Sequence, residues 1–305
     1  MISILLALAP VFAVIMAGWG ARLSGLVPAP AWTGVNRLAY MVLAPLFMFT
    51  EILRADLSVS EASFVLAGVG GFLAVGLIAF VLAPIARSGP AFASAHQGAV
   101  RWNTFIVLAA SLSVLGPQAS ALVALLMGPA IPVVNIITVW VHARYGADQN
   151  ASLKGVAASL ISNPLIIACL SGLALNLSGL ELPPPVMDTL TIIGRGALGV
   201  TLMCVGAGLE ARAILARPWL MTAAIGMKLL IAPAVFIALG AGLGLSGVHL
   251  AALAMCGAAP SPPAAYILTR QMGGDRDFMA AHITASTLLS ALAIPAAIFV
   301  AGLVG

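Results

Sequence analysis

Hydrophobic residues along this chain gather into long runs separated by short polar segments. Each run is close to the roughly 20 residues that an α-helix needs to cross a bilayer. The pattern predicts an all-α membrane protein with ten transmembrane helices, called spans 1 to 10 below. In order they cover 2–21, 34–53, 62–86, 90–115, 119–142, 155–178, 186–209, 218–240, 247–271 and 280–303.

A short pattern returns at half the length of the chain, which indicates an internal repeat. The first repeat is residues 1–145 and the second is residues 146–305. Because each holds five spans, an odd number, the second repeat enters the membrane in the opposite sense. We therefore expect two inverted five-helix repeats, an architecture of secondary transporters. The pattern is Pro10, Gly18 and Leu23-Ser24-Gly25-Leu26, followed 154 residues later by Pro164, Gly172 and Leu177-Ser178-Gly179-Leu180.

Composition and charge placement agree with a membrane location. Only 7% of the residues are charged, against about 25% in a soluble domain. The loops after even spans hold one basic residue, Arg54, whereas the loops after odd spans hold nine. The positive-inside rule then places both termini outside, and we expect a multi-pass protein of the cell (inner) membrane. The nine are Arg22, Arg37, Arg87, Arg144, Lys154, Arg212, Arg217, Arg270 and Arg276.

Span 9 carries Gly257, Pro260, Pro262 and Pro263 near its centre. A proline removes one helical hydrogen bond and clashes with the preceding turn, so the cluster predicts two half-helices. Ser261 is the expected N-cap of the second, with Pro262 at its first helical position. The N–H groups at that helix start would bind an anion in the middle of the bilayer. A proline kink that only packs is the structural alternative.

The repeat locates a partner for this break in span 4. Aligning Gly116 with Gly273 gives an offset of 157, which places Asn103-Thr104 opposite Pro260-Ser261. Because Asn and Thr are both good N-caps, we expect a second half-helix to start there and the two breaks to meet. Arg101 would then lie at membrane depth. If span 4 instead begins after Arg101, that residue lies at the cytoplasmic boundary.

Lys228 lies about ten residues into span 8, which is some 15 Å deep at about 1.5 Å per residue. An ionisable group at that depth is a functional hypothesis by default. Because no acidic residue lies at comparable depth in a predicted span, the amine is expected to meet an anionic ligand or a backbone carbonyl, or to be neutral. The histidines lie mainly at predicted span ends and are expected to be solvated: His96, His142, His249 and His282.

Chemistry other than transport finds little support in the sequence. No P-loop pattern is present, so we do not expect ATP-driven pumping by this chain. No paired aspartates, Ser/His pair or zinc-ligand cluster occurs at bilayer depth. We therefore expect no enzyme, no metal, no cofactor and no nucleic-acid partner. Cys169, Cys204 and Cys256 lie within apolar runs and are expected to be small buried hydrophobes.

Several motifs, modest singly but specific in their order and spacing, resemble the auxin efflux carrier family of bacterial and plant permeases. This family belongs to a wider group that includes bile acid/sodium symporters. One departure is that the family usually carries Gly and Pro after the Asn-Thr of span 4, where this chain has Phe105-Ile106. The matching motifs are Arg101-x-Asn103-Thr104, Asn163-Pro164, Gly206-x-Gly208-Leu209, Lys228-x4-Pro233, Ala258-Ala259-Pro260, Gly273-Gly274-Asp275 and Ser286-Thr287 through Pro295.

The resemblance implies two inverted repeats in which spans 4 and 9 cross at their breaks. Spans 1, 2, 6 and 7 would form a scaffold domain, and spans 3–5 and 8–10 a transport domain that moves like an elevator. The substrate would be a small organic anion such as a mono- or dicarboxylate. Dimers occur in this family, which makes a homodimer an expectation. The expected substrate-binding residues are Arg101, Asn103, Thr104, Lys228, Pro260, Ser261 and Pro262.

Three functions stay open at this point. The leading one is a permease of a small organic anion, acting as a uniporter or linked to protons. A sodium-coupled, bile-acid-like symporter is the near alternative, although such a protein normally has acidic or amide-rich ion sites in the membrane. A membrane receptor that keeps a carrier fold without turnover would bind the ligand but support no flux.

Overall fold

The computed structural model of the chain describes residues 2–55, 59–147, 163–210 and 217–305. Helices make up most of these residues, and none of the described residues forms a strand. Eight helices in this part of the chain are long and apolar enough to cross a membrane. These observations confirm an all-α membrane protein. The eight cover Ile2–Leu23, Ala29–Leu53, Glu61–Ala86, Gly89–Leu115, Pro117–Tyr145, Pro184–Ala207, Pro218–Gly242 and Arg276–Val304.

Two further apolar helices are shorter than a full span, so the count of ten and the inverted repeats stay predictions. They are Pro164–Ser178 and Gly247–Gly257. The first part of predicted span 6, residues 155–162, lies outside the described residues, as do Lys154 and Arg212. The second short helix is one half of predicted span 9.

Several spans consist of consecutive helical pieces. In the first half of the chain these are α1 (Ile2–Leu23), α2 (Ala29–Leu38), α3 (Ala44–Leu53), α4 (Val59–Ile78), α5 (Ala83–Ala86), α6 (Gly89–Val100), α7 (Thr104–Leu115) and α8 (Pro117–Tyr145). In the second half they are α9 (Pro164–Ser178), α10 (Pro184–Ala207), α11 (Pro218–Gly226), α12 (Ala232–Gly242), α13 (Gly247–Gly257), α14 (Ala264–Gln271) and α15 (Arg276–Val304).

An Ala-Pro pair widens the helix at two places. The turn Ala39–Leu43 precedes Ala44-Pro45, and the turn Met227–Ile231 precedes Ala232-Pro233. Both are π-helical, because a proline lacks the N–H that the preceding turn would otherwise bond and its ring crowds that turn. Each wide turn rotates the residues before it relative to those after it. Tyr40 lies in the first turn and Lys228 in the second. The direction in which each side chain points therefore depends on the proline five residues later, Pro45 or Pro233.

The helices pack in two groups. One group contains α1, α3, α9 and α10, with α1 against α10 and α3 against both α9 and α10. The other contains α4, α6, α7, α8, α12, α13 and α15, in which α8 packs on α4, α6 and α7, and α13 packs on α12 and α15. The groups meet where α8 contacts α9 and α7 contacts α1 and α10.

Contacts in the first group recur at the offset of the sequence repeat. Gly18 of α1 lies against the backbone of Met203, where a Cβ would clash. Its counterpart Gly172 of α9 lies against the Phe49 carbonyl, and Phe49 and Met203 are also 154 residues apart. Small residues allow membrane helices to approach this closely. The repeated glycines therefore mark the same helix contact in each half.

The C-terminal carbonyls of α3 and α10 are capped from positions that are also 154 residues apart. A guanidinium nitrogen of Arg22 donates to the Ala207 carbonyl at 2.6 Å. At the equivalent position Asn176 donates from its amide nitrogen to the carbonyls of Leu53, at 3.0 Å, and Ala55, at 2.8 Å. Each side chain satisfies carbonyls that a helix end leaves without an intrahelical partner.

Candidate functional site

The first interruption of a spanning helix lies at Arg101–Asn103, between the end of α6 at Val100 and the start of α7 at Thr104. Asn103 is extended, with φ −87° and ψ 93°, and its side-chain oxygen accepts from the Ile106 N–H at 3.3 Å. It is therefore the N-cap of α7, as the repeat alignment predicts. The alternative in which span 4 begins only after Arg101 is wrong, because α6 precedes that residue.

The second interruption is longer and runs over 258–263, between α13 and α14. The expectation that Ser261 caps the new helix, with Pro262 as its first residue, is wrong. The helix begins at Ala264 with Pro263 as its N-cap. A residue before a proline is disfavoured from the helical region. Pro263 therefore keeps Pro262 out of the helix, and Pro262 does the same to Ser261.

The two breaks bind each other directly. The Asn103 backbone N–H donates to the Pro260 carbonyl at 2.7 Å. The Ser261 hydroxyl donates to the Gly98 carbonyl at 2.7 Å and lies 3.2 Å from the Nδ1 atom of His282. The breaks therefore satisfy part of the backbone hydrogen bonding that each loses by leaving the helix. The meeting of Asn103 with Pro260 is as the repeat alignment predicts.

A cavity of about 230 Å³ lies beside the point where the breaks meet. Its walls come from both packing groups. One side is formed by α2, the turn after it, α9 and α10, and the other by the first break, α8 and the second break. The lining residues are Asn36, Tyr40, Arg101, Trp102, Asn103, Thr104, Phe105, Ile131, Val134, Asn135, Asn163, Leu165, Thr201, Val205, Pro262, Pro263, Ala264 and Ile267.

Arg101 is the only formally charged side chain among the described residues that line this cavity. Its guanidinium donates to the Asn135 side-chain oxygen, and its Nε atom lies 3.4 Å from the Thr138 hydroxyl. Both partners come from α8 and carry no charge. The guanidinium is thus held in position without being neutralised, which leaves its charge for an anion.

Asn103 contributes a second donor. Its side-chain oxygen is used in capping α7, but its amide nitrogen is buried and has no hydrogen-bond partner. A buried amide hydrogen without a partner costs about 1–3 kcal/mol, so a native structure that keeps one calls for an explanation. Asn103 lines the cavity, so a ligand oxygen there is the candidate partner for this amide. Asn103 and Arg101 together form a donor pair on one wall.

Three expected site residues do not line the cavity: Lys228, Pro260 and Ser261. Lys228 is only 1% exposed and lies in the second wide turn, with Cys256 and His282 as electrostatic neighbours. Pro260 and Ser261 are fully buried behind the crossing. The structure therefore brings Arg101, Asn103, Thr104 and Pro262 together at the cavity and places the other three behind it.

Sequence reasoning missed the opposite wall. Asn36 and Tyr40 lie one helical turn apart, and Thr201 and Val205 repeat that spacing on α10. Asn163, of the Asn163-Pro164 motif, caps α9 by accepting from the Leu165 N–H at 2.9 Å, and it also lines the cavity. The Ala-Pro pair after Tyr40 is the one sequence signal that could have drawn attention to this wall.

The expectation of solvated histidines is wrong for three of the four. His96, His142 and His282 are fully buried, and each has a ring nitrogen bonded or close to an oxygen acceptor. Hydropathy placed the predicted span ends too close to these histidines. For example, α15 begins at Arg276 rather than at residue 280, which puts His282 farther inside the helix. Only His249 is partly exposed, with its Nε2 atom 3.1 Å from a Glu61 carboxylate oxygen.

In the described part of the chain, no three His, Cys, Asp or Glu side chains are grouped so that they could hold a metal ion. Cys169 and Cys256 are buried free thiols, and Cys204 is a partly buried one.

Comparison with known proteins gives one match. The model of a family described as membrane transport protein matches residues 118–298, more than half of the chain. The matched segment includes α8, most of the cavity wall from α9 and α10, and the whole second break. No curated protein matches the chain.

Proposed function

Because this chain belongs to the auxin-efflux-carrier type of membrane transport proteins, we propose that it is a secondary carrier of a small organic anion. The substrate is a mono- or dicarboxylate, and the protein works as a permease, either a uniporter or a proton-linked carrier. No enzymatic step and no cofactor enter this proposal.

The observation that carries the proposal is the charge and donor pattern of the cavity. The space has no acidic side chain among its described lining residues. It is lined by one guanidinium held by uncharged partners and by Asn103, whose amide nitrogen is buried without a partner. Hydrogen bonds to a charged group contribute about 1.5–3 kcal/mol each. Most other lining residues are apolar, which suits the body of a small organic molecule.

We assign the residues different roles. Arg101 pairs with the carboxylate, and the Asn103 amide and the Thr104 end of α7 orient it. Pro262 lies on the same side of the cavity as Arg101, where its ring adds no donor to compete for the anion. Pro260 and Ser261 hold the crossing from behind. Lys228 also acts from behind the crossing, through the positive potential that its amine adds there.

The two packing groups fit an elevator-type carrier. We assign the group with α1, α3, α9 and α10 to the scaffold, and the group that contains both breaks to the transport domain. The cavity lies between them, so a displacement of one group along the other would carry a bound anion with it. The glycine contacts and helix caps that recur at 154 residues support the inverted repeats on which this motion rests.

The cavity lining comes from the cytoplasmic halves of its helices, given the orientation that the basic loops predict. Asn36 and Tyr40 follow the first of these loops, and Asn163 follows another. We therefore interpret this conformation as inward-facing, in a protein of the cell (inner) membrane with both termini outside. A homodimer remains part of the proposal.

Uptake by the purified full chain in proteoliposomes tests this function. We expect labelled malate, malonate or a monocarboxylate from a panel to accumulate or exchange, with the flux strongly reduced in Arg101→Gln. Arg195→Gln is the matched control, since Arg195 is an exposed arginine of α10 away from the cavity. Equal loss in both variants would contradict the assignment of Arg101 to the substrate.

Two outcomes would favour the alternatives. Flux that occurs only with a sodium gradient would indicate a sodium-coupled symporter and overturn the uniport or proton-linked mechanism. Thermal stabilisation by a carboxylate without any flux would indicate a receptor. Running the same panel with sodium replaced by choline, and with thermal shift beside uptake, separates the three.

A further inference from the structure

A second cleft, of about 440 Å³, shares no lining residue with the first cavity and lies beside the basic residues Arg87 and Arg217. It is formed by the end of the α4–α5 segment and the start of α11. Neither segment contributes to the substrate cavity. Its lining residues are Pro84, Ile85, Ala86, Arg87, Arg217, Pro218, Trp219 and Leu220.

Both arginines of this cleft have a backbone conformation that L-residues rarely adopt. Arg87 has φ 58° and Arg217 has φ 110°, and they are the only non-glycine residues with positive φ in the described part of the chain. Such a conformation costs on the order of 1–3 kcal/mol for each residue, and strained residues cluster at functional sites. Two strained arginines facing one cleft therefore point to a binding function.

Among the described residues that line it, the cleft carries one uncompensated guanidinium. The Arg217 Nε atom lies 3.1 Å from an Asp275 carboxylate oxygen, and another of its nitrogens donates to the Ala86 carbonyl at 3.3 Å. Arg217 is thus neutralised while it fixes the cleft. Arg87 is exposed and makes no ion pair with a described residue. A ligand with a single negative charge, such as a phosphodiester, matches this balance.

The surroundings of the cleft are those of a membrane interface. Trp219 is 81% exposed at the rim, and exposed tryptophan is typical of the headgroup level of a bilayer. Below the cleft, exposed apolar side chains follow one another at intervals of four residues along the same span. They are Leu73, Leu77, Val81 and Ile85, and they form an apolar track that ends at Arg87.

We propose that this cleft binds one anionic phospholipid of the cytoplasmic leaflet, with its phosphate on Arg87, its glycerol region against Trp219 and an acyl chain along the apolar track. Basic pockets between membrane helices on the cytoplasmic side bind lipid headgroups in this way. The bound lipid tethers the start of α11 to the end of α5. Through Arg217 and Asp275 it also stabilises the start of α15.

Thermal unfolding of the detergent-purified full chain, titrated with phosphatidylglycerol, phosphatidylcholine or inorganic phosphate, tests the site. We expect phosphatidylglycerol to raise the melting temperature of the parent, and the other two to have little effect. Arg87→Gln weakens the apparent lipid affinity about fivefold, as the loss of one interfacial arginine predicts. Arg37→Gln, at an exposed arginine of the same end, leaves it unchanged.

Arg87→Gly separates binding from folding. Glycine adopts positive φ without strain, so this variant should melt at or above the parent temperature without lipid and still lose the response to phosphatidylglycerol. Trp219→Ala should reduce the response as well. Equal stabilisation by inorganic phosphate or phosphatidylcholine, or a full response in both Arg87 variants, would overturn the proposal.

Discussion

The two breaks that meet at the candidate site are built by opposite means. The second contains three prolines, which lack backbone N–H donors and disfavour helical conformation in the residues before them. The first contains none, and α6 and α7 are separated by only three residues. There the break depends on Asn103, whose side chain offers the backbone an alternative acceptor. A proline break is rigid and adds no side-chain hydrogen-bond donor or acceptor, whereas an asparagine break brings a polar side chain to the site.

This difference explains why, of the two breaks, only the first supplies polar side chains to the cavity. The first break supplies Arg101, Asn103 and Thr104 to the cavity, while the second supplies mainly proline rings and an alanine. The second break also offers the Pro260 carbonyl, but this carbonyl accepts a hydrogen bond from the Asn103 N–H. The second break therefore positions the first, and the first recognises the anion. The predictions below test this division.

Asn103→Asp should give the largest effect. Aspartate caps a helix as well as asparagine, so the melting temperature should stay near that of the parent. Its charge would face the bound anion, and like charges in contact cost several kcal/mol. We expect carboxylate uptake to fall on the order of 100-fold. Asn103→Ala is the companion variant. It should reduce uptake and also lower the free energy of unfolding by about 1 kcal/mol, because the helix cap is lost. Normal uptake by the aspartate variant would contradict an anionic substrate.

Arg101→Gln should come next in size. The substitution keeps a donor that can reach Asn135 but removes the only formal charge of the described cavity lining, so we expect substrate affinity to fall roughly 10- to 100-fold. Arg101→Lys should recover only part of it, because an ammonium lacks the planar fork that binds a carboxylate through two hydrogen bonds. Substrate-dependent thermal shifts measure these affinities. Full recovery by lysine would mean that charge alone matters.

Gly257→Ala tests the second break through packing. A Cβ at this position would lie 2.6 Å from the Cα atom of Pro233, a backbone atom that cannot swing away. Overpacking of this kind costs about 1–3 kcal/mol, which a lower melting temperature would report. Gly226→Ala is the matched control, since its Cβ would meet nothing within 4 Å. Equal melting temperatures for the two variants would show that the helices around the second break shift at no cost.

Much of the fold was predictable because it follows from hydrophobic length and from proline chemistry. The first break was also predictable, although span 4 contains no central proline. The repeat transferred the position of the second break onto Asn103-Thr104, and both residue types are favoured as N-caps. The symmetric helix caps by Arg22 and Asn176 show why such a transfer works: equivalent positions still carry out equivalent tasks.

The composition of the cavity was less predictable, because it depends on helix rotation rather than on depth. Hydropathy gave the depth of Lys228 but not its facing, which the wide turn before Pro233 sets. It also gave no reason to select Asn36 or Tyr40. These residues line the cavity because α2 packs beside α10, and the wide turn after α2 packs beside both α9 and α10. The predicted start of α14 was wrong because consecutive prolines restrict the backbone conformation of one another. An N-cap rule applied to one residue at a time does not include this effect.

Ser261→Ala should have the smallest effect, and it tests whether the second break touches the substrate. The hydroxyl donates to the Gly98 carbonyl at 2.7 Å and lies behind the cavity. Its removal should cost about 1 kcal/mol of stability, as for one buried hydrogen bond, and leave carboxylate affinity unchanged. Thermal unfolding with and without substrate measures both quantities on the same sample. A large loss of affinity at unchanged stability would mean that Ser261 faces the anion, and that both breaks share recognition.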